Sequence, residues 1–201
     1  LPHILSTASS NPVIVSEFLV AMLNKADKET INYWNIKKLK NNNLKTKFDK
    51  SDYDKILEVA REVCLSNPDL KPYDPKTHIG FLRYLMIRYG ANTNHLMINI
   101  VTSYNDLNKL SPLTDTLLKK IPEITSMVNN VNTRKADVAF GEYETLIFGN
   151  PYIEEKIRDL TFEISANSFF QTNTHQAKRL YDIIKEEAAL TRDDVLYDLF
   201  C

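Results

Sequence analysis

The chain has 201 residues, of which 43% are hydrophobic and 25% are charged, and its formal net charge is -1. This composition excludes collagen-like and intrinsically disordered proteins and predicts a globular chain with a buried core. The only two cysteines, Cys64 and Cys201, can build neither a disulfide framework nor a four-cysteine zinc site. So few cysteines predict a reducing, cytoplasmic location. No apolar run approaches the roughly 18 residues that a membrane span needs.

The two ends of the chain indicate a fragment of a longer protein. The sequence begins at Leu1 rather than at methionine, and it stops at Cys201 within the apolar run VLYDLFC. Such a run is typical of a buried strand, yet no turn or tail follows it. We therefore expect part of any functional site to lie beyond Cys201, and we expect the fragment alone to be inactive.

Residues 1–68 are predicted to form a helical segment. Asn11 followed by Pro12 is typical of a helix start, a second helix is expected around Trp34, and a third begins at Ser51, whose spacing to Asp54 resembles a capping box. The apolar residues at helical spacing are Val15, Phe18, Leu19, Met22 and Leu23, then Ile31 and Leu39, then Ile56, Val59, Ala60 and Val63.

Residues 69–162 change to a strand pattern. The runs LRYLMIRY (82–89) and HLMINIVT (95–102) flank the turn-forming GANTN, which predicts an antiparallel hairpin. A helix is expected over 107–120, either begun or interrupted by Pro112. Further strands are predicted over 124–132, 136–140 and 144–149. The fold class is therefore α+β, with a central, mostly antiparallel sheet.

Residues 163–201 show a third pattern. FEISANSFFQTN is typical of a strand followed by a polar turn, and Asn173, with Gln176 three residues later, is predicted to cap a helix. The apolar face of this helix comprises Ala177, Leu180, Tyr181, Ile184 and Ala188. A helix that leads into the buried strand VLYDLFC is how a Rossmann-like domain begins, and ligands of such domains bind at the carboxyl ends of the strands.

Single residues carry modest signals. The four histidines are scattered without ligand spacing or a neighbouring cluster of cysteines or carboxylates, so no metal site is predicted. The pair Phe169 and Phe170 precedes the polar turn. Core packing is favoured for Phe170, whereas Phe169 could equally pack in the core or present its ring to a nucleic-acid base.

Four stretches together resemble the RNA uracil-5-methyltransferases. They are DPKTHIGFLRYLMIR (74–88), SMVNNVNTRKADVAFGEYETLIFGNPYI (126–153), FEISANSFFQTNTHQAKRLYDII (162–184) and VLYDLFC (195–201). THIGFLR and SFFQTN are more similar to the bacterial enzymes that act on 23S ribosomal RNA than to the tRNA branch. The family's N-terminal oligonucleotide-binding domain and iron–sulfur cysteines are not visible.

The helical N-terminal segment, residues 1–68, matches no part of the family, and the resemblance covers roughly residues 70–201. It implies that 69–162 are the central domain and that 163–201 are the truncated start of an S-adenosylmethionine-dependent methyltransferase domain. It also implies a known type of reaction. In this family a cysteine thiolate attacks carbon 6 of a flipped uracil, carbon 5 takes the methyl group, and a carboxylate removes the carbon 5 proton. The family places both groups beyond Cys201, so no catalytic residue is expected in this chain.

The resemblance also assigns donor-binding residues by position. Gln171 matches the family glutamine that contacts S-adenosylmethionine, and Phe200 matches an aromatic position that lines the same pocket. The alternatives are that Gln171 caps the helix at Asn173 and that Phe200 belongs to the core.

One RNA-binding residue is assigned by position in the same way, and two arginines are candidates from the strand pattern alone. Phe169 matches an aromatic residue beside the flipped base. Arg83 and Arg88, which alternate with tyrosines on a strand, could hold RNA phosphate, although exposed-strand charges without function are equally compatible with the pattern.

Two other functions stay open: a class I methyltransferase with a non-RNA substrate, and a non-enzymatic RNA-binding module.

Overall fold

The computed structural model describes residues 14–16, 48, 50–135, 138–171, 173–191, 193–195 and 197. Within these ranges the chain forms a mixed α/β fold of strands and three helices. In chain order they are β1 (Ile14–Ser16), α1 (Lys50–Ser66), β2 (Leu82–Tyr89), β3 (Leu96–Thr102), α2 (Leu107–Lys120), β4 (Ser126–Val131), β5 (Tyr143–Gly149), β6 (Tyr152–Ile157), β7 (Leu160–Ser165) and α3 (Thr174–Ala188).

Strands β1 to β5 form one sheet in sequence order. The β2–β3 pairing is antiparallel, from Leu82 opposite Thr102 to Tyr89 opposite Leu96, so the predicted hairpin is confirmed. Strands β3 and β4 are parallel, because α2 carries the chain back across the sheet between them. The β1–β2 and β4–β5 pairings are antiparallel.

Helix α2 runs through Pro112 rather than starting at it. Its first turn is capped by Asp106, whose Oδ1 accepts a hydrogen bond from the Lys109 amide at 3.0 Å. Proline has no amide hydrogen to donate to the carbonyl of Asn108. The Ser111 hydroxyl donates to that carbonyl instead, at 2.9 Å, which offsets the loss.

Helices α1 and α2 cover one face of the sheet. The predicted apolar face of α1 is confirmed, since its side chains are buried together with residues of α2 and of strands β2 and β3. Burial of each such side chain contributes roughly 1.5–3 kcal/mol. The fully buried members include Ile56, Ala60, Leu113, Leu117, Ile87 and Ile98.

The hairpin of β6 and β7 covers the opposite face of the sheet. Ile153 and Ile164 pack there against Met97 and Val128 of the sheet. Strand β6 was not expected from the sequence, because its inward positions alternate as Ile153, Glu155 and Ile157, and the buried carboxylate interrupts the apolar pattern.

The N-terminal helix prediction is wrong at Ile14–Ser16, which form strand β1. These residues pair antiparallel with Leu85–Ile87 of β2. β-Branched residue types such as isoleucine and valine favour strands, and the open edge of β2 offers backbone partners that outweigh a helical spacing of apolar residues. The remaining residues of the first predicted helix, and the second helix around Trp34, lie outside the described residues.

Two further strand predictions have different outcomes. Residues 138–140 are not a strand, because the Val138 carbonyl accepts a hydrogen bond from the Asn132 side chain, at 2.6 Å, instead of joining a ladder. Residues 136 and 137 lie outside the described part of the chain. In VLYDLFC only Val195 and Tyr197 are described, and neither lies in a strand.

Candidate functional site

A polar turn, residues 166–171, connects β7 to the start of α3. The Ser168 amide donates to the Ser165 carbonyl at 3.3 Å, and the hydroxyls of the two serines are 2.8 Å apart. The turn therefore folds back on the end of β7. We call residues 166–171 the aromatic turn, because it carries both Phe169 and Phe170.

The two phenylalanines of the aromatic turn point to different environments. Phe170 is half-buried and contacts Phe162, with ring centroids 5.6 Å apart, beside the cluster that joins the hairpin to the sheet. Its predicted core role is confirmed. Phe169 is 85% exposed, so the core alternative for this ring is wrong. Leaving a phenylalanine ring in water forgoes roughly 1.5–3 kcal/mol of burial, so core packing does not explain its position.

Gln171 is exposed at the end of the aromatic turn. The side chain that caps α3 is that of Asn173, whose Oδ1 accepts a hydrogen bond from the Gln176 amide at 3.0 Å, as predicted. The capping role considered for Gln171 is thus filled by another residue. The Gln171 amide group is left facing solvent beside the N-terminal end of a helix, where it can donate and accept hydrogen bonds.

Buried polar side chains of the sheet hold the aromatic turn from below. Arg88 Nη1 donates to the Ser168 carbonyl at 2.8 Å, and Asn130 Nδ2 donates to Asn167 Oδ1 at 2.7 Å. The Asn167 amide donates to Glu144 Oε1 at 3.0 Å. Burial lowers the pKa of the Arg88 guanidinium, and the charge of Glu144 acts in the opposite direction.

Glu155 joins three elements around the same site. Its carboxylate is 1% exposed. Oε2 accepts hydrogen bonds from the Ala91 amide at 2.7 Å and the Thr174 hydroxyl at 2.9 Å, while Oε1 accepts from the amides of Asn92 and Lys156 at 3.1 and 2.8 Å. The β2–β3 turn, strand β6 and the first residue of α3 are therefore fixed to one side chain.

The chain is similar in sequence to proteins named RNA methyltransferases. The chain is 46% identical over 148 residues to an uncharacterized RNA methyltransferase of Chlorobaculum tepidum. The aligned residues cover 73% of this chain and 30% of that protein. It is 38% identical over 147 residues to an uncharacterized RNA methyltransferase of Enterococcus faecalis, and this alignment covers 73% of this chain and 31% of that protein. No family model matches the chain.

One solved structure shares the fold. It is the crystal structure of Pyrococcus abyssi tRNA (uracil-54, C5)-methyltransferase in complex with S-adenosyl-L-homocysteine, with a TM-score of 0.56 and 31% identity over 69% of this chain and 33% of that chain. The chain belongs to the RNA uracil-5-methyltransferase family. It spans 30–31% of the length of the two curated relatives.

No helix among the described residues has the length and apolar character to cross a membrane.

Arg83, the residue of this chain that was expected to contact RNA, is buried. It is 2% exposed, its Nη1 donates to the backbone carbonyls of Asn132, at 2.8 Å, and Arg134, and its guanidinium lies 4.2 Å above the centre of the Tyr73 ring. Both interpretations of Arg83 and Arg88 assumed an exposed strand, and that assumption is wrong. Strand β2 lies between β1 and β3 and is covered on both faces, so its arginines bond to backbone carbonyls instead of solvent.

The family reaction uses a cysteine thiolate, and Cys64 does not fit that role. It is 4% exposed in the core between α1 and the sheet, and burial raises the pKa of its thiol to about 12. A thiol with that pKa is protonated at neutral pH and is a poor nucleophile and metal ligand. Cys201 and Phe200 lie outside the described residues. No group of three or more metal-ligating side chains occurs in the described part of the chain.

We expect Cys64 to resist alkylation in the native protein. The raised pKa and the burial both remove reactive thiolate, so iodoacetamide at pH 8 should leave Cys64 unmodified until the protein is unfolded in urea. Peptide mass spectrometry resolves it from Cys201. Modification of native Cys64 at the rate of an unfolded control would show that its thiol is accessible.

Proposed function

We propose that this chain is the central and early catalytic part of an S-adenosylmethionine-dependent RNA methyltransferase that methylates carbon 5 of a uridine, in 23S ribosomal RNA. Its relatives are named RNA methyltransferases, and its structural neighbour is a uracil-C5 enzyme crystallised with S-adenosyl-L-homocysteine. Such a protein would act in the cytoplasm, where its RNA is found.

The observation that carries this proposal is the exposed ring of Phe169 next to the exposed amide of Gln171. A phenylalanine ring in water offers a flat apolar face, and stacking on a base contributes about 1–3 kcal/mol. An amide group can hydrogen-bond the polar groups of the methyl donor. We propose that Phe169 contacts the flipped uridine and that Gln171, together with Phe200, contacts the donor.

The chemistry divides between this chain and the residues that follow it. S-adenosylmethionine supplies the methyl group when it is bound. Phe169 and Gln171 orient base and donor, and this positioning alone can contribute several orders of magnitude to a rate. Cys64 takes no part because its thiol is buried and protonated. We propose that the attacking cysteine and the proton-accepting carboxylate lie outside the present sequence.

We propose three functional segments: 1–68, 69–162 and 163–201. Strand β1 of the first segment pairs with β2 of the second segment, and helix α1 of the first segment packs against the sheet. Strand β7 crosses the boundary between the second and third segments at residue 162. The division is therefore one of function rather than of separate cores. The second segment would support the aromatic turn, and the third would begin the donor-binding domain.

The proposal is tested with the complete protein that contains this chain. It is incubated with S-adenosylmethionine and either a 23S ribosomal RNA transcript or a tRNA transcript, and the digested nucleosides are identified by mass spectrometry. We expect 5-methyluridine in the 23S transcript. 5-Methyluridine only in tRNA would refute the choice of RNA, and a methyl group on another base, on ribose or on no RNA would refute the proposed function.

Replacing Gln171 with alanine should weaken donor binding without changing the fold. Loss of one hydrogen bond in a bound complex costs about 1–2 kcal/mol, roughly a five- to thirtyfold rise in the dissociation constant. Calorimetric titration of the complete protein with S-adenosyl-L-homocysteine measures it. Gln176→Ala is the matched control, because that amide side chain is also exposed but lies in the first turn of α3 rather than in the aromatic turn. Equal affinities for Gln171→Ala and the unmodified protein would reject the donor contact.

A further inference from the structure

We propose that the buried side chains of Arg88 and Asn130 are positioning residues, which hold the backbone of Ser168 and the side chain of Asn167 so that Phe169 and Gln171 are held ready for base and donor. This inference rests on the proposed function of the aromatic turn. It assigns a role to a part of the sheet that contacts neither ligand directly.

The two side chains lie on the sheet face that the aromatic turn covers. Arg88 is opposite Met97 of β3, and Asn130 of β4 is opposite Val101 of β3, so Asn99 of the same strand lies between them. All three are at most 6% exposed. Together they form a polar row that crosses three strands beneath the turn.

This polar row is hard to explain by stability alone. Burying a guanidinium costs several kcal/mol, which hydrogen bonds offset only when they satisfy the whole group. The Nε of Arg88 is buried with no hydrogen-bond partner among the described residues, and the same holds for Oδ1 of Asn99 and of Asn130. An apolar side chain at position 88 would pack against the sheet without that cost.

What Arg88 and Asn130 do accomplish is to tie the aromatic turn to the sheet at two consecutive residues. Arg88 Nη1 bonds the Ser168 carbonyl, and Asn130 Nδ2 bonds the Asn167 side chain, at 2.8 and 2.7 Å. Phe169 follows directly and is too exposed to be held by its own packing. A ring that must stack on a base needs a fixed backbone beneath it, because a misplacement of about 1 Å is enough to reduce a rate substantially.

The test separates anchoring from folding by hydrogen exchange. In the complete protein, Arg88→Met should speed amide exchange at residues 167–171 by about tenfold, the effect of losing a hydrogen bond to a charged group. The melting temperature should change little, because methionine removes the buried charge. Arg83→Met is the matched control: it removes a buried arginine of the same strand whose bonds go to Asn132 and Arg134, so exchange at 167–171 should not change.

A second variant guards against misfolding of Arg88→Met. Asn167→Ala removes the acceptor of the Asn130 bond from a half-buried turn residue and should produce the same rise in exchange. Both variants should also lower kcat/KM for 23S RNA methylation by about tenfold. Arg88→Lys should restore part of the loss, since its ammonium can still donate a hydrogen bond.

The outcomes distinguish this inference from the function it rests on. Faster exchange at 167–171 together with slower methylation supports it. Unchanged exchange in both variants, or faster exchange with unaltered kcat/KM, would overturn it even if the protein is a uracil-5-methyltransferase. Failure of the proposed function appears differently, as the absence of 5-methyluridine with the unmodified protein.

Discussion

Replacing Glu155 with alanine is expected to lower the free energy of unfolding by about 3 kcal/mol or more, since several hydrogen bonds to a charged group are lost at once. The substitution removes the carboxylate to which the amides of Ala91 and Asn92 and the hydroxyl of Thr174 donate. An alanine side chain also leaves a cavity beneath β6. The β2–β3 turn, the β6–β7 hairpin and the start of α3 should therefore loosen together.

Urea unfolding followed by circular dichroism measures this effect, and Glu155→Gln tests it with less change of shape. The control is Glu163→Gln, a carboxylate on the same hairpin that is exposed, which should leave the urea midpoint unchanged. If Glu155→Ala shifted the midpoint no more than Glu163→Gln does, the four hydrogen bonds to Glu155 would not be important for the stability of the fold.

Replacing Phe169 with alanine is expected to impair RNA methylation while the fold stays intact. Loss of one stacked base costs about 1–3 kcal/mol, which corresponds to a fall in kcat/KM of between about fivefold and about a hundredfold. The ring is 85% exposed, so its removal creates no cavity and should not lower the melting temperature. Affinity for S-adenosyl-L-homocysteine should be unchanged, because the donor contact is assigned to Gln171.

Phe170→Ala is the matched control for this substitution. The Phe170 ring packs against Phe162 of the β6–β7 hairpin, so its loss should lower the melting temperature, an effect not expected of Phe169→Ala. The reverse result, with Phe169→Ala destabilising the protein and leaving methylation unaltered, would show that the exposed ring has a structural role only.

Local signals were sufficient to predict the elements whose determinants lie close together in sequence. The β2–β3 hairpin followed from two apolar runs around GANTN, and the start of α3 followed from Asn173 and its spacing to Gln176. The motif SFFQTN marked the aromatic turn. In each case the hydrogen bonds or the periodicity that define the element involve residues only a few positions apart.

The parts that could not be predicted depend on long-range contacts. Arg88 and Ser168 are 80 residues apart, and Glu155 and Ala91 are 64 apart, so no local pattern shows that either charge is buried. Strand β1 forms because β2 has an edge to pair with, which is a property of the assembled sheet. The one sequence signal for the buried Glu155 was its place between Ile153 and Ile157 at alternating positions of a strand. A glutamate in such a pattern is equally typical of a strand with an exposed face.

The most direct measurement of the central claim uses RNA in which uridine is replaced by 5-fluorouridine. A fluorine atom at carbon 5 cannot be removed as a proton, so an enzyme that attacks carbon 6 and methylates carbon 5 remains covalently bound to the base. We expect the complete protein, with S-adenosylmethionine and a fluorinated 23S transcript, to form an RNA adduct that survives denaturing electrophoresis, and Phe169→Ala to reduce its yield. Absence of the adduct would contradict methylation at carbon 5 of uridine, whether or not ordinary RNA is methylated elsewhere.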